Sequence, residues 1–147
     1  MEISKSLKLK AIRYLSRREY SRRELTQKLS CHSKLGSNLD DLMEWLKIKN
    51  LQSDYRFAET LINRKKENFG YKRINLELKT HGINLDEIPE LKKILINSEE
   101  KSAHKAFEKK FNNSQISYAD KLKHFNYLRR KGFSTPVIEK LVKNFYK

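Results

Sequence analysis

The chain is poor in the residues that build loops and cross-links: one cysteine, two prolines and four glycines in 147 residues. A lone thiol, Cys31, can close no internal disulfide and anchor no cysteine-rich metal site, which fits a reducing compartment. So little Gly and Pro argues against loop-rich scaffolds and β-sandwiches and favours helices. Runs of about 18 apolar residues are also missing, so no membrane span is expected. The lysines after Met1 are followed by Arg13, Arg17 and Arg18 rather than an apolar stretch, so no export signal is expected and a cytoplasmic location follows. Acid is the last scarcity. Eighteen Asp and Glu face 33 Lys and Arg, giving a formal charge of +15, spread as +6 over residues 1–50, +2 over 51–98 and +7 over 99–147. Charge of this sign in the folded body attracts nucleic acid, an acidic protein surface or a protein filament coated on nucleic acid.

What is present is helical periodicity. Leu7, Ala11, Tyr14 and Leu15 follow i, i+4, i+7, i+8, and Leu39, Leu42, Met43 and Leu46 follow i, i+3, i+4, i+7. Further faces are Phe57, Ala58, Leu61 and Ile62; Ile74 and Leu78; Ile88, Leu91 and Leu95; Ala103 and Phe107; Leu122 and Phe125; and Val137, Ile138, Leu141 and Phe145, about nine short helices in all. Ser21-Arg22-Arg23-Glu24 reads as a capping box, Asn84-Leu85-Asp86-Glu87 repeats its logic, and Thr135-Pro136 offers a cap followed by proline. Gly82 and Gly132 stand where a left-handed C-terminal cap is expected.

These positions repeat. Leu78, Gly82, Ile88 and Leu91 recur as Leu128, Gly132, Ile138 and Leu141 at a constant offset of 50, and Ala11 and Arg17 recur as Ala58 and Arg64 at 47. Glu24-Leu25 recurs as Glu77-Leu78, and Leu42 and Leu46 as Leu91 and Leu95. The expected architecture is all-α: three tandem three-helix repeats over residues 5–50, 52–96 and 99–146, stacked into an elongated, curved molecule.

Catalytic signatures are missing. His32, His81, His104 and His124 have no metal-ligand spacing and read as surface or cap residues, and Gly36, Gly70, Gly82 and Gly132 are too isolated to cradle a phosphate. Carboxylates stand mostly beside basic residues, as in solvated helix pairs. No enzyme, metal or cofactor is expected. The basic residues fall in three clusters: Arg17-Arg18 with Arg22-Arg23, Arg64-Lys65-Lys66 with Lys72-Arg73, and Arg129-Arg130-Lys131. In stacked repeats, equivalent positions form a stripe that tracks an acidic groove or a phosphate backbone. Arg17 and Arg64 have a second reading, in which they hold helix carbonyls or Glu24 and Glu77. Trp45, Phe57, Phe107, Phe125 and Phe145 read as core, as does Tyr14, whereas Tyr20 and Tyr71 suit either loop packing or contact with a partner.

The run from Ala11 to Leu25, Ala-Ile-Arg-Tyr-Leu-Ser-Arg-Arg-Glu-Tyr-Ser-Arg-Arg-Glu-Leu, resembles the first repeat of the RecX family, regulators of the recombinase RecA. Asn50-Leu51-Gln52-Ser53-Asp54-Tyr55-Arg56-Phe57-Ala58, with Arg64, Gly70, Arg73-Ile74, Glu77-Leu78 and Gly82-Ile83, is similar to that family's central signature. Leu128-Arg129-Arg130-Lys131-Gly132-Phe133-Ser134 resembles its closing motif. Ser53 departs from the pattern where a second acidic residue is common, and the loop from His32 to Ser37 has no clear counterpart. The resemblance implies a non-enzymatic protein, monomeric when free, that binds the RecA filament and modulates its ATP hydrolysis and strand exchange in recombination and repair, mostly by inhibition. It also implies contact with single- or double-stranded DNA. On that reading Arg17, Arg18, Arg22, Arg23, Arg64, Lys65, Lys72, Arg73, Arg129, Arg130 and Lys131 are the candidate contact residues. A rival reading takes Ser21-Arg22-Arg23-Glu24-Leu25 as the start of a recognition helix in a helix-turn-helix regulator, with Arg22, Arg23 and Gln27 reading bases.

Overall fold

A computed structural model describes residues 3–33, 38–111 and 120–145. Gly36, much of the loop from His32 to Ser37, the end of the third repeat at 146 and the side chain of Phe145 lie outside what it describes. The helices are α1 (Lys5–Arg17), α2 (Arg22–Ser30), α3 (Leu39–Ile48), α4 (Asp54–Lys65), α5 (Tyr71–Thr80), α6 (Pro89–Phe111), α7 (Lys121–Arg130) and α8 (Thr135–Phe145), with one 3-10 turn at Leu85–Glu87. No strand occurs among the described residues, as the periodicity requires. The chain divides into two compact units, Met1–Thr60 with His81–Ile83, and Leu61–Thr80 with Asn84–Lys147.

In the first unit the expected apolar faces meet. Leu7 and Ala11 of α1, Leu25 and Leu29 of α2, and Leu42, Met43 and Leu46 of α3 bury with Tyr20, while Ile3, Tyr14, Leu15, Leu39 and Trp45 pack around them. Ser4 Oγ accepts the Leu7 N–H at the start of α1, and Ser21 Oγ accepts the Glu24 N–H at the start of α2. Only the serine half of the capping box follows the expected pattern, because the Glu24 carboxylate is taken by both guanidinium nitrogens of Arg18, at 3.1 and 2.8 Å. Past α3, Asn50 adopts a φ of +58°, the left-handed turn that glycine supplies elsewhere, and its side chain accepts an N–H from Arg56.

The second unit has one long helix where two short ones are expected. α6 runs unbroken through 23 residues because neither Gly nor Pro interrupts it and its buried positions, Leu91, Leu95, Glu99, Ser102, Ala103, Ala106 and Phe107, keep helical spacing throughout. Its second half joins Leu128, Phe133, Ile138, Leu141 and Val142 in a core shared with α7 and α8. α7 turns a different face inward from the expected one. His124 and Leu128 are buried and Leu122 is 70% exposed, since the i, i+4 pair that meets α6 is His124 and Leu128. His124 is therefore a core residue and not a surface or cap residue: its ring lies edge-on to Phe107 at 5.4 Å and tilted on Phe111 at 4.0 Å.

Gly82 and Gly132 have φ of +73° and +90°, as their C-terminal cap positions require. Gly132 also meets the start of α5: Gly70 N–H donates to Lys131 O at 2.9 Å and Lys72 N–H to Gly132 O at 3.0 Å. A Cβ on Gly70 would lie 2.5 Å from the Gly132 and Phe133 backbone, and one on Gly132 would lie 2.4 Å from Arg73 Cβ. Two chain segments touch there without side chains between them.

Candidate functional site

The basic clusters are positioned by what neutralises some of their members and leaves others out. In the first unit Arg18 lies 3.6 Å over the Tyr20 ring and pairs with Glu24, whose carboxyl is held below the usual carboxylate range by that hydrogen bond. Arg22 pairs with Glu44 at 2.8 Å, and the Arg23 guanidinium covers Gly82. Arg17 stays exposed. In the second unit Lys65 Nζ donates to both oxygens of Glu77 at 2.8 and 2.6 Å, and Arg64 stays exposed. The pattern is the same twice: the residue after the repeated arginine holds the repeated glutamate. Glu24 and Glu77 thus engage Arg18 and Lys65, so the alternative that gave these two glutamates to Arg17 and Arg64 is not what the structure has.

Gly70 and Gly132 bring together the start of α5 and the end of α7, and with them Arg73 and Lys131. Arg73 stacks at 4.1 Å on the Phe69 ring, Lys131 Nζ stands 4.9 Å from the same ring and 5.7 Å from Tyr127, and the Arg73 guanidinium reaches Arg130 O at 3.5 Å. Lys72, Arg129 and Arg130 are exposed around this group. Beside it a depression of about 230 Å³ is lined by Asn68, Ala106, Lys109, Lys110, Tyr127 and Lys131. Tyr20, left between two readings by the sequence, is buried beneath Arg18, while Tyr71 is half-buried with Lys92 Nζ 6.0 Å from its ring.

Several structural determinants went unread in the sequence. Asp54 Oδ1, at the start of α4, accepts the backbone N–H of Arg22 at 2.8 Å and an N–H of Gln52 at 3.1 Å. Glu99, 2% exposed within α6, accepts the backbone N–H of Tyr71 at 2.7 Å and the Ser134 hydroxyl at 2.6 Å. Each carboxylate caps the N-terminus of a preceding helix, where an orphan N–H and the helix dipole favour negative charge. Their signal was an acid after a serine, Ser53-Asp54 and Ser98-Glu99, at an offset of 45. Lys109 and Lys110, outside the three basic clusters of the sequence, line the depression beside Lys131. Among the described residues no group of three His, Cys, Asp or Glu is placed to hold a metal ion, and no helix is long and apolar enough to cross a membrane.

No family model matches the chain. Individual proteins do: it is 36% identical over 137 residues to "Regulatory protein RecX" of Ralstonia pickettii (strain 12J), covering 93% of this chain and 86% of that one. The chain belongs to the RecX family. RecX of Herminiimonas arsenicoxydans is 37% identical over 134 residues, covering 91% and 89% of the two chains. The fold agrees: the crystal structure of RecX from Lactobacillus salivarius superposes with a TM-score of 0.81 over 95% of this chain and 94% of that one, at 24% identity. The RecX family is one of regulatory proteins and not of enzymes.

Proposed function

We propose that this RecX-family protein regulates RecA, mainly as an inhibitor, by binding the RecA–DNA filament and modulating its ATP hydrolysis and strand exchange in recombination and repair. The observation that carries the reading is the exposure of Arg17 and Arg64 while their neighbours Arg18 and Lys65 hold Glu24 and Glu77. Among the described residues neither arginine has an acidic partner, and such a cation is offered outward. The repeats, over 5–50, 52–96 and 99–146, each present such groups, and Lys72, Arg73, Arg129, Arg130 and Lys131 add to them in the second unit. Inhibition then needs no chemistry: a protein that prefers one state of the filament opposes the rearrangement that accompanies ATP turnover. Direct contact with single- or double-stranded DNA accompanies that binding, with the free protein a monomer.

The rival reading as a helix-turn-helix regulator has less support, because the N-terminal turn of α2 is engaged inside the chain. Arg22 is held by Glu44, its N–H is capped by Asp54, and Arg23 lies on Gly82. The test is RecA-dependent ATP hydrolysis on single-stranded DNA with the protein titrated in. A fall in rate supports the proposal; unchanged hydrolysis and strand exchange at saturating protein refute it. An operator selected from random duplex DNA would favour the rival.

A further inference from the structure

Three fully buried alanines, Ala11, Ala58 and Ala103, are each followed six and seven residues on by a basic pair: Arg17-Arg18, Arg64-Lys65 and Lys109-Lys110. Three fully buried leucines, Leu25, Leu78 and Leu128, are each preceded by the residue that the second cation of the pair meets. In the first two cases that residue is a carboxylate: Arg18 gives two nitrogens to Glu24, and Lys65 Nζ donates to both oxygens of Glu77. In the third it is Tyr127, whose ring centroid lies 5.7 Å from Lys110 Nζ. The placement is kept and the counter-charge is gone.

At that point lies the depression of about 230 Å³, with Lys109 and Lys110 of α6 on one side and Tyr127, Lys131 and Asn68 around the rest. Among the described residues no carboxylate lines it. The two acids adjacent in sequence to its lining face elsewhere, Glu67 toward Lys105 at 3.9 Å and Glu108 toward His104 at 3.5 Å. Lys131 Nζ also stands 5.7 Å from the Tyr127 ring, so cations from α6 and from just past α7 converge on one aromatic. Phe111 holds that ring in place, edge to face at 5.5 Å. A half-buried ring beside cations that no internal acid neutralises suits a negative charge carried on a short apolar stem. A glutamate or aspartate side chain has that form, its methylenes against Tyr127 and its carboxylate between the ammonium groups. A phosphodiester has no such stem, and at the two matching positions the group that meets the cation is a carboxylate.

We propose that the depression bounded by Lys110, Tyr127 and Lys131 receives an acidic side chain, Glu or Asp, of a protein partner, in the role that Glu24 and Glu77 fill from within the chain. The proposal rests on the reading of the protein as a regulator that binds a filament of protein and nucleic acid, and it gives this site to the protein component. It is measured with a peptide and no RecA, so the two fail separately: peptide binding without any effect on RecA keeps the site and removes the regulatory reading.

The experiment is amide chemical-shift mapping of the isotopically labelled whole chain, at about 0.15 M salt, where attraction beyond a Debye length is screened. The probes are a short blocked peptide of Gly and Ser with two Glu, the same peptide with Gln for Glu, and a thymidine oligonucleotide of equal length. The Glu peptide should shift the amides of Asn68, Lys110, Tyr127 and Lys131 saturably, and the Gln peptide should not. Lys110→Gln should weaken binding about threefold to fivefold, the size of a half-exposed ion pair. Tyr127→Glu supplies the carboxylate from within and should weaken it about tenfold or more, with Tyr127→Gln losing less. Lys110 is exposed, so its variant is expected to fold and decides the matter if circular dichroism shows that the Tyr127 variants do not. Shifts scattered over the basic surface, an equal response to the Gln peptide, or binding unchanged in Lys110→Gln overturns the proposal. So does an oligonucleotide that displaces the peptide from these same amides and binds more tightly, which would give the site to nucleic acid.

Discussion

Glu99 caps the helix that begins at Tyr71 from 28 positions further along the chain, its Oε1 accepting the Tyr71 N–H at 2.7 Å. Asp54 does the same for Arg22 across 32 positions. In each unit a carboxylate at or within a later helix satisfies the first backbone donor of an earlier one, so neighbouring helical segments are joined by a charge-assisted hydrogen bond as well as by apolar packing.

Replacing Glu99 by Ala should therefore destabilise the second unit by about 2 kcal/mol, since it strands a backbone N–H and the Ser134 hydroxyl and leaves a void. Glu99→Gln keeps an acceptor and should cost less. Urea denaturation of the two variants gives the order.

The glycines should rank by what a methyl group would strike. At Gly70 and Gly132 it meets backbone or Cβ atoms within 2.6 Å, and alanine should cost more than about 2 kcal/mol, the left-handed φ of Gly132 adding to the clash. At Gly82 the nearest atoms belong to the movable Arg23 guanidinium at 3.2 Å, so the cost should stay near the left-handed penalty of about 1 kcal/mol. Denaturation midpoints that put Gly82→Ala below the other two would contradict this ranking.

Burial pushes the His124 imidazole below its ordinary value, with Lys123 acting in the same direction and Asp120 opposing. The folded state then binds fewer protons than the unfolded one. The contribution of His124 is fully present above the ordinary histidine value of about 6.5 and is lost as the pH falls from there toward the lowered folded value. Melting temperatures of the wild type should fall over that window, and those of His124→Phe, which keeps a ring between Phe107 and Phe111, should fall less.

Charge reversal should separate the repeated arginines from their neighbours. Arg17→Glu and Arg64→Glu should leave the melting temperature nearly unchanged and raise the concentration needed for half-inhibition of RecA by about tenfold, near 1.4 kcal/mol of binding. Arg18→Glu and Lys65→Glu should cost up to about 1 kcal/mol of stability, because each breaks a half-exposed pair with Glu24 or Glu77. Thermal melts beside the ATPase titration distinguish the two effects.

The helical class was legible because apolar spacing follows the helical period, and Ala11, Leu42, Leu46 and Leu78 are buried where that period puts them. Gly82 and Gly132 were legible as caps, since few other residues tolerate their φ. His124 was not, because burial of a polar ring depends on Phe107 and Phe111 arriving from another helix. Basic runs marked Arg17 and Arg64, but which cation in each run is neutralised depends on the approach of Glu24 and Glu77.

α6 is one hydrogen-bonded ladder about 35 Å long, and the boundary expected from the sequence between residues 96 and 99 falls inside it. A protease cut or circular permutation there would open a helix instead of separating a pair of modules. Local opening of either half must be paid for by the turns on both sides of that boundary, so amide exchange should show a single cooperative block along α6. The edges expected for the repeats and the edges of a cooperatively opening helix then differ.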